Sequence, residues 1–195
     1  MARNGSWQRL LMFTAAVALS IGGFSSPSRA DLVNGGFETS DLTGWTEAGD
    51  NTFNGVSCGP GATVAQGNCS YFAGPIGSNS TLSQSLATQP GTAYSISFSF
   101  EPDGGTPSHF AASFAGVTLV DVNNPAAQSS FQNFNFVRTA TGSSTLLSFS
   151  FRDDTGFLFL DAVSVNAAAV PEPGTIALVG IGVVGMLGTS CRKRR

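Results

Sequence analysis

The chain has 195 residues, with 9 Lys and Arg against 12 Asp and Glu and a formal net charge of −3. The bases sit at its two ends: between residues 31 and 170 only Arg138 and Arg152 oppose eleven acids, which leaves that region at −9. Nucleic-acid binding needs a basic footprint, so it is excluded for this region, and cations suit the surface better than anions.

Residues 1–30 read as a secretory signal peptide. Arg3 and Arg9 form a positive start, Leu10 to Phe24 is apolar, and Ser28-Arg29-Ala30 offers small residues at both recognition positions of a cleavage site. Gly22, Gly23 and Pro27 break the apolar run early, which disfavours a membrane-anchoring helix.

Residues 31–169 then make one domain, long enough to bury a core. They show no amphipathic helical pattern. Tyr94, Ile96, Phe98 and Phe100 alternate with Ser95, Ser97 and Ser99; Leu147, Phe149 and Phe151 alternate with Ser148 and Ser150; Phe134 and Phe136 flank Asn135. Such alternation predicts strands with one buried face. Phe157–Val165 is apolar on both faces and reads as a central strand. Turn signals at Pro90-Gly91, Asp103-Gly104-Gly105, Thr141-Gly142 and Asp154-Thr155-Gly156 separate the runs. About eight short strands with turns between them predict an all-β sandwich or jelly roll. The Gly-, Asn- and Ser-rich segment 46–70 reads as a long loop carrying a Cys58–Cys69 disulfide. In an exported chain such a pair is oxidised, and closing so short a loop is worth roughly 3 kcal/mol. Zinc would need more Cys or His than the lone His109 supplies.

The last stretch reads VPEPGTIALVGIGVVGMLGTSCRKRR, and Gly174–Ser190 carries no charge. As a helix at about 1.5 Å per residue it would be roughly 26 Å long, just short of a ~30 Å hydrocarbon core. Arg192, Lys193, Arg194 and Arg195 would stay on the cytoplasmic side. Gly180 to Gly185 matches G-x-G-x-x-G, but a dinucleotide fingerprint also needs a preceding strand, a long following helix and a later acid. The match is read as chance.

Pro171-Glu172-Pro173, the apolar run and the Arg-rich end, together residues 170–195, resemble the PEP-CTERM sorting signal of Gram-negative bacteria. The resemblance implies recognition and cutting near Pro-Glu-Pro by an exosortase. The inner membrane would be a transient station, and the body would pass to the cell surface or exopolysaccharide matrix. A permanent single-span anchor is the alternative.

The body is similar to galactose-binding-like and family 4/9-type carbohydrate-binding jelly rolls. Asn34-Gly35-Gly36-Phe37-Glu38 and Leu42-Thr43-Gly44-Trp45 match their opening, Thr81–Leu86 and Pro90–Tyr94 their middle, and Phe157–Val165 their closing strand. That resemblance implies a structural calcium using Glu38 and Asp161, with a further acid and backbone carbonyls completing its shell. The alternative is an Asp161 that accepts backbone amides or pairs with Arg138 or Arg152.

No catalytic constellation stands out. Asp153 and Asp154 are adjacent in a turn rather than facing each other across a cleft. There is no G-x-S-x-G elbow, and His109 has no implied partner. Sugar platforms could come only from Trp45, Tyr71 or Tyr94, and Trp45 and Tyr94 sit at core-type positions. The expected function is that of a non-catalytic exported surface or matrix protein. A module binding exopolysaccharide is the alternative, and a secreted hydrolase comes third.

Overall fold

A computed structural model of the chain describes residues 30–168. The expected signal peptide, apart from Ala30, and the expected sorting tail lie outside these residues. Ten strands form within them: β1 (Thr46–Gly49), β2 (Asn54–Cys58), β3 (Cys69–Ala73), β4 (Ser80–Ala87), β5 (Ala93–Pro102), β6 (Ser108–Phe114), β7 (Val117–Asn123), β8 (Gln132–Thr139), β9 (Ser144–Asp153) and β10 (Leu158–Ala167). They make two five-stranded sheets, ordered β1-β4-β9-β6-β7 and β2-β3-β10-β5-β8, and every pairing is antiparallel. The architecture is the expected jelly-roll β-sandwich, and β10 is central, as its apolar run predicts.

Period-two alternation does what it should. β9 buries Leu147, Phe149, Phe151 and Asp153 and turns the residues between them outward. β5 buries Tyr94, Ile96, Phe98 and Phe100 against them. The two inner faces meet in a cluster of phenylalanines: Phe100 stacks on Phe110 with ring centroids 3.8 Å apart, and Phe98 meets Phe149 edge-on at 5.2 Å. Aromatic pairs in these geometries contribute beyond their buried area. Among the described residues the two sheets enclose one continuous core.

The segment 46–70 departs from the sequence reading. It is not one loop, because β1 and β2 run through it as edge strands of the two sheets. Cys58 closes β2, Cys69 opens β3, and the two are register partners as well as disulfide partners. Polar, Gly-rich edge strands present no buried face to alternate, and so they escape a hydrophobic-period search.

The segment ahead of β1 is fastened to both sheets. Gln84 of β4 brackets Val33, accepting from its N–H at 2.7 Å and donating to its carbonyl at 2.9 Å. Gly35 accepts from Val163 N at 2.8 Å, at the bulge between Asp161 and Ser164 of β10. A Cβ on Gly35 would run into the Val163 carbonyl, so this approach requires glycine. Phe37 adopts φ 57°, an uncommon region for a large side chain. It is held there by full burial between Trp45 and Tyr71, each with its ring centroid 5.7 Å away.

Candidate functional site

Glu38 and Asp161, far apart in sequence, converge on one loop. Asp161 lies in β10 on the outer face of its sheet, opposite Ser99, and is fully buried under the segment between β2 and β3. Its Oδ2 accepts from Ala65 N at 2.8 Å and Gln66 N at 2.9 Å, and its Oδ1 from Ala162 N. Glu38 Oε1 accepts from Asn68 N at 2.8 Å and Cys69 N at 3.0 Å. Burial pushes the Asp161 carboxyl above the usual carboxylate range, and the Glu38 charge adds to the push, against the pull of the three amides.

A calcium ion takes roughly six to eight oxygens. Five backbone N–H groups already occupy this pair, and among the described residues no group of three His, Cys, Asp or Glu side chains gathers to hold a metal. The donor set as folded therefore does not fit calcium, which would have to compete with those amides. What the geometry shows is a carboxylate clamp on the loop. Arg152 does not reach Asp161; it pairs instead with Asp154 through bonds of 2.8 and 3.0 Å and holds that carboxyl down to about 2.

The disulfide fixes the same loop from its ends, with a sequence separation of 11. Replacing both Cys58 and Cys69 by Ser is expected to lower the stability of residues 31–169 by roughly 3 kcal/mol. Denaturant unfolding of the variant and of the reduced wild type measures it; equal midpoints with and without the bridge would contradict it.

The clamped loop forms one wall of a cleft of about 690 Å³. Ala62 to Gln66 face Ser129, Ser130 and Phe131 from the segment before β8, and Ser99, Glu101, Asn133 and Ala162 make the floor. Ser99 Oγ donates to Asn133 Oδ1 at 2.7 Å, which turns the Asn133 amide group toward donating. Partial burial pushes the Glu101 carboxyl upward. Glu101 is the one acid lining the cleft and Phe131 the one aromatic ring. The sequence reading did not single out either. Glu101 falls on the outward, serine phase of β5, a signal that could have marked it; Phe131 lies in a loop, where no period applies.

The aromatic candidates are elsewhere. Trp45, Tyr71 and Tyr94 are all buried. Trp45 Nε1 donates to the Asn34 carbonyl at 3.0 Å, and Tyr71 Oη donates to Glu47 Oε1 at 2.8 Å. Burial, followed by the Glu47 charge, drives the Tyr71 hydroxyl far upward in pKa. These rings belong to the core and its rim and not to a sugar platform.

His109, which the sequence left without a partner, has two. On the outer face of the other sheet its Nε2 lies 3.0 Å from Asp121 Oδ1, and its Nδ1 lies 3.4 Å from Asn79 Nδ2. Asn79 can only donate there, so the network assigns the proton to Nε2. Nδ1 meets an amide and not a hydroxyl, which is not the arrangement of a Ser-His-Asp triad.

Comparison with known proteins now adds the tail. Residues 169–195 match the PEP-CTERM protein-sorting motif. The PEP-CTERM match covers the Pro-Glu-Pro, the apolar run and the basic end, and leaves the sandwich to be compared by its structure. No curated protein matches the chain. Among solved structures, TmCBM61 in complex with β-1,4-galactotriose is similar at TM-score 0.60 and 21% identity, over 72% of this chain and 100% of that one. The C-terminal family 22 carbohydrate-binding module of Clostridium thermocellum Xyn10B follows at TM-score 0.53 and 19% identity, over 75% and 100%. A cyclase from Fischerella sp. TAU is also similar, at TM-score 0.55 and 18% identity, over 74% and 99%. At these identities the likeness shows a shared fold alone: the sandwich ahead of the PEP-CTERM motif has a β-sandwich fold found in both carbohydrate-binding modules and an enzyme.

Proposed function

We propose that this chain is an exported surface or matrix protein, sorted by an exosortase-type enzyme at Pro171-Glu172-Pro173, whose body at 31–169 binds a neutral polysaccharide in the cleft over β5, β8 and β10. The observation that carries the binding half is the lining of that cleft. One carboxylate, two carboxamides, several hydroxyls and one half-buried aromatic ring make a surface for a polyhydroxylated, uncharged ligand. A cleft lined by a single acid supports recognition over hydrolysis, since glycosidases set two carboxyls across the scissile bond. The carboxylate clamp and the disulfide hold one wall in place before ligand arrives, which lowers the ordering cost of binding.

Affinity electrophoresis of residues 31–169 through gels of β-1,4-galactan, xylan and host exopolysaccharide tests this reading. Retardation is expected in at least one, and Phe131→Ala and Glu101→Gln should each weaken it about tenfold, a loss of ~1.4 kcal/mol. Free migration in every gel, or retardation untouched by both substitutions, would remove the cleft from the proposal.

A further inference from the structure

A second pair of carboxylates lies where β5 and β9 finish and β10 begins. Asp103 follows β5, and Asp153 is the last residue of β9. Asp103 uses Oδ1 to accept from Gly105 N at 2.9 Å and Oδ2 to accept from Phe157 N at 2.6 Å. Asp153 accepts from Thr155 N at 3.2 Å through Oδ1, and the Gly156 amide also lies against this carboxyl. Its side chain is in phase with Phe149 and Phe151, only 1% of the residue is exposed, and its Oδ2 is buried without any hydrogen-bond partner. The Asp103 carboxyl stands beside it within hydrogen-bonding reach.

Two glycines make this closeness possible. A Cβ on Gly105 would strike both Asp153 oxygens, and one on Gly156 would strike the Asp103 carboxylate. The backbone is thus pressed against two acids that repel each other. No side-chain base relieves them: Arg152 is bound to Asp154, and Arg138 lies over Phe136 on β8. The description covers no other arginine and no lysine. A buried carboxylate oxygen left without a donor is costly, and like charges at this separation need a counter-charge.

From this juxtaposition of a buried, unpartnered Asp153 oxygen with the Asp103 carboxylate, walled by Gly105 and Gly156, we propose that the pair holds a calcium-class divalent cation. As at Glu38 and Asp161, only two carboxylates meet here; the contrast lies in how far backbone amides already occupy them. There, five amides satisfy the two carboxylates; here, three recorded amide donors leave an entire oxygen of Asp153 open and one lone pair on each of the other three. The side-chain donors are all oxygens, the pair brings two negative charges, and Asp103 is exposed, so water can complete the shell. Calcium accepts such a mixed and irregular oxygen shell more readily than magnesium, which keeps its waters and demands an octahedron. Bound there, the ion would join the β5–β6 connection to the β9–β10 hairpin.

Calorimetric titration of residues 31–169 with calcium chloride and with magnesium chloride at neutral pH, beside thermal melts in EDTA, tests the site. One calcium per chain is expected, with magnesium binding weaker, and at a hundredfold excess over Kd the midpoint should rise by roughly 8 °C. Asp153→Asn removes the charge yet keeps the shape, and Asp103→Asn is the second variant should the first misfold; both should lose the calcium response. Glu38→Gln should retain it, which separates this site from the clamp. An absent heat together with an unmoved midpoint would overturn the proposal, as would a calcium response that survives in both aspartate variants.

Discussion

Asp161→Ala is expected to destabilise the body by roughly 3 kcal/mol, because it leaves three backbone N–H groups without the acceptor they fold around. For a domain of this size that corresponds to a fall of about 10 °C in the melting midpoint. The effect should exceed that of Glu38→Ala, since Glu38 is exposed and water can replace it on the Asn68 and Cys69 amides. The two substitutions should also be non-additive: both release the segment between β2 and β3, and once it is loose the second acid has less to hold. A double-mutant cycle read by denaturant unfolding measures this. A near-neutral Asp161→Ala, or strict additivity, would mean that the loop is held by the disulfide alone. The loss has a functional reading too, because Ala62 to Gln66 form one wall of the cleft.

The second large effect concerns the tail. Changing Pro171, Glu172 and Pro173 together to Ala is expected to abolish release of the body in the native host, leaving the full-length chain in the membrane fraction. Mass spectrometry of the wild-type surface form should find its C-terminus near residues 170–175, without the basic end at Arg192 to Arg195. Such processing would remove the basic end, and the released body would carry the −9 of residues 31–170. An intact Arg195 on the surface form, or unchanged release of the triple variant, would show that the segment is a lasting anchor.

The sandwich was legible because its core strands alternate cleanly. Tyr94 to Phe100 and Leu147 to Phe151 announce both their state and their buried face, and β10 announces its central place by carrying apolar residues on both faces. β1 and β2 were not legible, since edge strands of Gly, Asn and Ser have no buried face to report. The phase of β9 extends one step further than the sequence reading took it: Leu147, Phe149 and Phe151 lead in register to Asp153, which the turn signal at Asp154-Thr155-Gly156 masked. Glu38 and Asp161 could be named in advance through a family likeness, but the amides they hold could not, because a backbone N–H leaves no trace in side-chain identity. His109 gained Asp121 through strand pairing, in which Ala111 faces Asp121 two residues along from the His109–Asn123 pair.

The central position of β10 has a mechanical consequence. Whatever holds residue 169 pulls on the Ala167 end of that strand, which is bonded to β5 along almost its whole length and to β3 at the other end. A load in that direction runs along the strand, at right angles to the ladder bonds. The bonds must then shear together and cannot peel one at a time, as they would from an edge strand. The Ala167 end of β10 also lies five residues beyond Ala162, or about 17 Å of strand, so the cleft floor stands away from the end that bears the load.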